Sequence, residues 1–435
     1  MPIRDIIFVV VFFSCLPFCF FRPFFGICMW TVMSFLNPHS YVWSMGLTFP
    51  WAELVAILTI AGCVLLERNW RNLFCREVFL IFVLWSWFTF TTFYNAQVPE
   101  FVDSAPDTWY RYVFVSKVLC MVVLTIGVVN TWDRLRKLIL TIAGSFGFLV
   151  AKAVPFIALT GGAYRVYGPK GTMIADNNDV GLVLNMTLPI FFFLAKTEQS
   201  PAVKKLMVFL FVGTIPTILF TYSRGAMIGL AVLLLSMIVM LRQRLILIPL
   251  LFLAVCLGLI FAPRGWQNRM DFRNESALID SSAMSRFNAW TYCWNLAQSH
   301  PLTGGGFDAF TQPLFDRYAP NPKDVHGPHS IYFGVLAEHG FPGLALYLTL
   351  ALSTMFSLFR LGRRARYLGD EETRLYSLML RFSMFGFLIV GAFLGRAYFD
   401  YYFTIVACAV ILKKVSSFEN SEVLDADYST EAVIA

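Results

Sequence analysis

Two blocks of apolar sequence enclose one long polar interruption, residues 263–329. Ahead of it, apolar runs cover 6–21, 24–36, 51–66, 78–94, 113–131, 138–160, 181–195, 206–222, 226–241 and 245–262. Behind it, three more cover 329–359, 381–394 and 398–412. Most approach the roughly 20 residues that a helix needs to cross a hydrocarbon core about 30 Å thick. The pattern predicts an all-α fold, a polytopic transmembrane helix bundle of about 12 spans, with one long loop. The first two runs, broken by Phe21-Arg22-Pro23-Phe24, read as two short spans, a re-entrant pair or one kinked element. No small-residue cleavage site follows the first run, so it is expected to stay in the mature chain.

Basic residues give the bundle its sidedness. Clusters at Arg68–Arg76, Arg134–Lys137, Lys196–Lys205, Arg242–Arg244, Arg360–Arg366 and Lys413–Lys414 fall on alternate connectors, which places them and the tail from 415 inside. The connectors 37–50, 97–107 and 161–180 and the long loop are then outside. The chain divides into an N-terminal membrane block (1–262), an outer loop (263–328), a C-terminal membrane block (329–414) and an inner tail (415–435).

Composition agrees with this class. Of the 435 residues, 58% are hydrophobic and only 14% charged, against about 25% charged in a soluble domain; mean hydropathy is +0.66. The net charge of +7 resides in connectors and reads as a topology signal, so nucleic acid is not an expected partner. Nine cysteines are scattered without paired or metal-binding spacing, so neither disulfide, metal nor cofactor is expected.

Within the loop, Phe287, Trp290, Trp294 and Ala297 recur at helical spacing, and His300-Pro301 ends the run. This predicts an amphipathic helix at the membrane surface, presenting those residues to the interface, with Ser281 and Ser282 as caps. Gly304-Gly305-Gly306 reads as a flexible turn after it.

Several polar residues collect on the outer face. Arg224 stands at a hairpin tip between apolar runs, either as a functional charge or as a side chain snorkelling to head groups. Arg286, one turn before Trp290, either presents a guanidinium to an anionic group or lies on a solvated helix face. His326 and His329 precede a span, and His329 is the stronger candidate. Glu338 lies nine residues beyond His329, about 2.5 turns of helix; it is expected to point away and to orient a neighbour or pair with an arginine. Asn177-Asn178-Asp179 opens a span, as a cap or as substrate contact. A phosphate-binding Gly-x-x-x-x-Gly-Lys loop and a Gly-x-Ser-x-Gly elbow are both missing, and Asp425-Ala426-Asp427 lies in the tail. Two arginines and a histidine at the membrane surface suit a lipid-borne diphosphate, which guanidinium forks neutralise without a metal.

These residues resemble the O-antigen ligase/polymerase superfamily of bacterial glycan enzymes. The resemblance rests on Ser223-Arg224-Gly225, Arg286 with Trp290, Gly304-Gly305-Gly306-Phe307, and His329 followed by Glu338-x-Gly340-x-x-Gly343. Asn177-Asn178 before a span adds to it. The N-terminal forty residues, with Arg22-Pro23, Trp30 and Asn37-Pro38-His39, are similar to the O-glycosylation ligases found beside exosortase A systems. The resemblance implies transfer of a glycan, as in exopolysaccharide or O-glycan assembly, from an undecaprenyl-diphosphate carrier. The acceptor would be a hydroxyl of a lipid core, a protein or another glycan, at the periplasmic face of the inner membrane. It implies Arg224 and Arg286 on the diphosphate and His329 as the catalytic histidine; His326, Asn178, Trp290 and Glu338 are the further candidates for substrate contacts. Ser330 stands where such ligases often carry Asn. A glycan polymerase would need the same donor site. A transporter or flippase of lipid-linked sugars is disfavoured by the lack of an internal repeat and of charges deep within the runs.

Overall fold

The structure, a computed structural model, describes residues 3–42, 49–66, 73–240 and 281–416, together with Ile248 and Phe252. Most of the run 245–262, the first part of the long loop, Arg68, Arg71, Arg242 and Arg244, and the tail from 417 lie outside the described residues.

All described secondary structure is helical. The first block comprises α1 (Ile3–Phe21), α2 (Pro23–Phe35), α3 (Trp51–Leu66), α4 (Arg76–Asn95), α5 (Ala105–Val128), α6 (Trp132–Thr160), α7 (Asn177–Thr197), α8 (Pro201–Leu219) and α9 (Arg224–Met240). Then come α10 (Ser281–Ser299), α11 (Gln312–Tyr318), α12 (Ile331–Leu368), α13 (Glu371–Val390) and α14 over residues 400–416. Eight of the described helices are long and apolar enough to cross a membrane; α2, α3 and α9 are shorter apolar helices. The protein is a multi-pass membrane protein.

The N-terminal runs form two helices. Arg22 takes non-helical angles (φ −133°, ψ 78°) and Pro23 opens α2, because proline needs no amide partner at a helix start. α1 is largely exposed, whereas α2 buries Ile27, Trp30, Met33 and Phe35. Glycines let these helices touch: a Cβ at Gly62 would lie 2.2 Å from the carbonyl oxygen of Phe20.

At the centre runs α7. Its sequence from Val180 to Leu194 has no polar face, and all of it is buried, as expected of a helix apolar all round. It packs against α13, α8, α9 and α6. Asn185 stitches α7 to α9, its amide donating to the carbonyls of Gly181 (2.8 Å) and Ala226 (3.0 Å).

The polar loop folds onto one end of the bundle around a second core of Phe101, Tyr292, Cys293, Leu296, Phe315 and Ala337. Here α10 is amphipathic, and of the stripe expected to face outward only Ala297 is fully buried. Its buried face carries Ala289, Tyr292, Cys293, Leu296 and Ala297, while Phe287 and Trp294 are 57% and 45% exposed. The small core takes the neighbouring stripe and leaves Phe287 and Trp294 outward, as the sequence pattern expected. Trp294 packs edge-on against Phe341.

The glycine triplet is a knot rather than a flexible turn. Gly340 breaks α12 with φ 67° and ψ −171°, angles that essentially only glycine adopts. The carbonyls of Ala337 and Glu338, just before the break, accept from the amides of Gly305 (2.8 Å) and Gly306 (2.9 Å). In return, the Phe341 amide donates to the Pro301 carbonyl at 2.9 Å. A Cβ at Gly340 would meet the Pro301 carbonyl oxygen at 2.5 Å, and one at Gly304 the Ala337 oxygen at 2.4 Å. The loop and the first turns of α12 are therefore fixed to each other.

Candidate active site

Beside the knot opens a cavity of about 260 Å³, walled by the segment before α12, its first turns, the start of α7 and the turn before α14. His329 lies at its mouth. It is not part of α12: its φ of 45° is left-handed, an uncommon choice for a side chain with a Cβ. Helical counting from His329 to Glu338 therefore fails, and both residues line this one cavity. The His329 side chain is exposed at the surface, with its neighbours partly desolvating it. That desolvation, followed by the charge of Arg286 and the neighbouring His326, holds its pKa below the ordinary histidine value. Gly395 backs the turn, where a Cβ would lie 3.7 Å from the His329 Cα.

Glu338 is buried and pairs with no arginine among the described residues. Its Oε1 accepts from the Asp308 amide at 2.9 Å, and its Oε2 accepts from the Tyr398 hydroxyl. The carboxylate thus orients two neighbours, since two donors already occupy it. Asp308, itself left-handed at φ 53°, faces Arg111 with Nε 3.7 Å from Oδ2. Burial raises the Asp308 pKa, and Arg111 opposes the rise. The Arg111 Nε has no hydrogen-bond partner among the described residues.

The opposite wall holds Arg396, whose Nε and Nη2 donate to the Asp179 carboxylate at 2.8 and 2.6 Å. Burial works against the Arg396 charge, but the Asp179 contact overrides it and keeps its pKa above normal. Of the Asn177-Asn178-Asp179 trio, none caps α7. That role falls to Asp176, which accepts from the Asn178 amide at 2.8 Å. The Asn178 side chain donates to the same carboxylate, and Asn177 donates to the Thr221 carbonyl at 2.7 Å.

The remaining predicted residues stand just outside the cavity lining. Ser223 accepts from the Ala226 amide at 3.3 Å and so begins α9, with Arg224 as its first residue. The Val166 amide donates to the Phe220 carbonyl at 2.9 Å, tying the connector before α7 to this hairpin tip. Arg286 is half-buried on α10. Burial and then the charge of Arg224 lower its pKa, so the two guanidinium groups share one neighbourhood. Trp290 donates from Nε1 to the Pro328 carbonyl at 2.7 Å and stacks on Phe333. It braces the backbone just before His329. His326 turns towards Asp324, and its ring centre is 6.1 Å from that of His329.

Residues 208–348 match the family model described as O-antigen ligase. This stretch of the chain is similar to O-antigen ligases. The matched stretch contains Arg224, Arg286, His326, His329, Glu338 and the glycine knot. Residues 3–199 match a family of unknown function, which supplies Arg111, Asp176 and Asp179. The cavity is completed by Arg396 and Tyr398, beyond both matches. No curated protein matches the chain.

Sequence reasoning passed over Arg111, Asp308, Arg396 and Tyr398, and noted Asp179 only as part of a possible cap. Arg396 carried a readable signal, since it sits between the apolar runs 381–394 and 398–412 just as Arg224 sits at its own hairpin tip. The others gain meaning only from partners far away in sequence.

Proposed function

We propose that the protein is a membrane glycosyltransferase that transfers a glycan from undecaprenyl diphosphate to an acceptor hydroxyl at the periplasmic face of the bacterial inner membrane. The observation that carries this reading is a pair of arginines, one on α9 and one on α10, gathered beside His329. Burial and then the charge of Arg286 lower the His329 pKa, and burial and then the charge of Arg224 lower that of Arg286. Arg286 has no carboxylate partner among the described residues. Guanidinium groups gathered this way suit a diphosphate, whose oxygens their planar forks match. The sidedness of the basic connectors and the ligase-domain match support the rest. In this reading residues 263–328 are the catalytic loop between two membrane blocks.

In the reaction, the acceptor hydroxyl attacks the anomeric carbon of the donor. The bond from that carbon to the diphosphate oxygen breaks, and its electron pair leaves with the diphosphate. Arg224 and Arg286 neutralise that growing charge. The hydroxyl proton passes to a ring nitrogen of His329, which its surroundings keep neutral near pH 7 and so ready to accept. Arg111 and Arg396 flank the cavity on the acceptor side. Glu338, through Tyr398 and Asp308, fixes the wall against which the acceptor lies.

The reading is tested with purified protein, a polyprenyl-diphosphate glycan and candidate hydroxyl acceptors, following glycan transfer and release of the lipid diphosphate. Product is expected in chelator as well as without it, because the guanidinium groups replace a metal. A strict need for added magnesium or manganese would overturn the arginine clamp. Association with an exosortase pathway rests on the N-terminal resemblance, and co-dependence of the two activities in cells would test it.

A further inference from the structure

A second polar cavity, about 380 Å³, lies at the other end of the bundle. α4 links the two ends: it starts at this cavity with Arg76 and finishes at Asn95, whose amide donates to the Thr303 carbonyl beside the knot. Four cations line the cavity, Arg76, Arg360, Arg364 and Lys413, and Phe356 and Leu361 form an apolar wall.

The charges do not balance. Glu77, only 1% exposed, accepts from Arg76 at 3.1 Å and from the Ser357 hydroxyl at 2.5 Å. Its other oxygen faces Lys413 at 3.7 Å. One carboxylate thus serves two cations. Asp370, at the rim, is occupied in capping α13, where it accepts from the Thr373 amide at 2.9 Å. Arg360 and Arg364 have no carboxylate partner among the described residues; the Arg360 guanidinium rests over the Phe356 ring at 4.4 Å.

Depth identifies the kind of anion. Beyond the Gly340 break, residues 341–368 of α12 run about 42 Å at about 1.5 Å per residue, longer than a hydrocarbon core of about 30 Å. The last turns therefore emerge at head-group level with Arg360 and Arg364. The same helix turns Leu352 (62% exposed) and Phe356 (47% exposed) outward, an apolar strip that leads away from the cavity wall towards the bundle centre. A charged pocket continuous with an apolar strip fits an amphipathic anion and not a freely soluble one.

We propose that this cavity binds the phosphate of an anionic glycerophospholipid, with an acyl chain laid along Leu352 and Phe356. The unpaired Arg360 and Arg364 grip the phosphate, and the Glu77-held Arg76 and Lys413 form the back of the site.

The full-length protein, purified in mild detergent and exposed to an equal mixture of phosphatidylglycerol and phosphatidylcholine, is examined by native mass spectrometry. The wild type should retain phosphatidylglycerol selectively. Arg360→Gln with Arg364→Gln should weaken that retention on the order of tenfold. Arg363→Gln with Arg366→Gln removes the same charge from the same turns and should leave it nearly intact. Equal loss in both pairs would reduce the site to diffuse basic attraction, and no lipid preference in the wild type would overturn it outright. Release of the lipid by millimolar inorganic phosphate alone would also overturn it, assigning the pocket to a free anion. If the double variant unfolds at a lower temperature, Arg364→Gln alone decides: retention unchanged from wild type rejects the grip.

Discussion

Arg396 and Asp179 meet in a two-pronged ion pair, 2.8 and 2.6 Å, across 217 residues of sequence. The pair joins the turn before α14 to the first turn of α7, and so sets the width of the cavity. Its Asp179 side chain is 6% exposed. Removing Arg396 leaves that carboxylate buried without its counter-charge. Breaking such a pair costs about 3–5 kcal/mol. Arg396→Ala is therefore expected to lower the unfolding temperature in detergent more than Arg396→Ala combined with Asp179→Asn. An equal loss in the two variants would mean that the pair is not what holds this wall.

For the proposed diphosphate clamp, geometry matters more than charge. Arg224→Lys and Arg286→Lys keep a cation but lose the planar fork that matches two phosphate oxygens. Both should reduce transfer on the order of 100-fold, nearly as much as the alanine variants, at normal protein levels. Near-full transfer by the lysine variants would leave only a general positive potential at these positions.

His329→Ala should insert normally but transfer almost no glycan, since a positioned base contributes about 10²–10⁴-fold. His326→Ala should keep substantial activity. His329→Gln separates basicity from hydrogen bonding, and substantial transfer by it would make His329 a binding residue. The pH dependence has a definite sign. Burial, then Arg286 and His326, depress the His329 pKa, so the neutral base persists below the ordinary value of about 6.5. Transfer should be flat above that value and fall only as pH drops through the lower folded pKa. The unfolded chain binds the proton first, so the stability tied to neutral His329 is present above about pH 6.5 and declines below it.

Gly340→Ala should prevent stable folding or cost at least about 2–3 kcal/mol, because a side chain there meets both a forbidden backbone region and the Pro301 carbonyl. Gly144→Ala is the matched control, since nothing lies within 4 Å of a Cβ built there. On the exposed face of α6 it should be neutral or stabilise by up to about 1 kcal/mol. Detergent-resistant yield and thermal unfolding report both.

The class of this protein was legible in its sequence because lipid imposes a length and an apolarity that each helix must meet by itself. Hence the runs at 78–94, 138–160 and 181–195 became α4, α6 and α7. The same local logic marked Arg224, Arg286 and His329, whose polar chemistry is conspicuous at a membrane boundary. Periodicity also found α10, but not the core it packs against. That was decided by Phe101, Phe315 and Ala337, which belong to other segments and fold against Tyr292 and Leu296. Only the tertiary structure made Gly304-Gly305-Gly306 a knot, because its need for glycine comes from carbonyls on α12. Only it placed Glu338 in the His329 cavity, because a left-handed His329 removes the helical register that sequence spacing assumes. And only it paired Arg396 with Asp179 and set Arg111 against Asp308. Such pairs follow from how the bundle closes, and no local pattern encodes a partner 200 residues away.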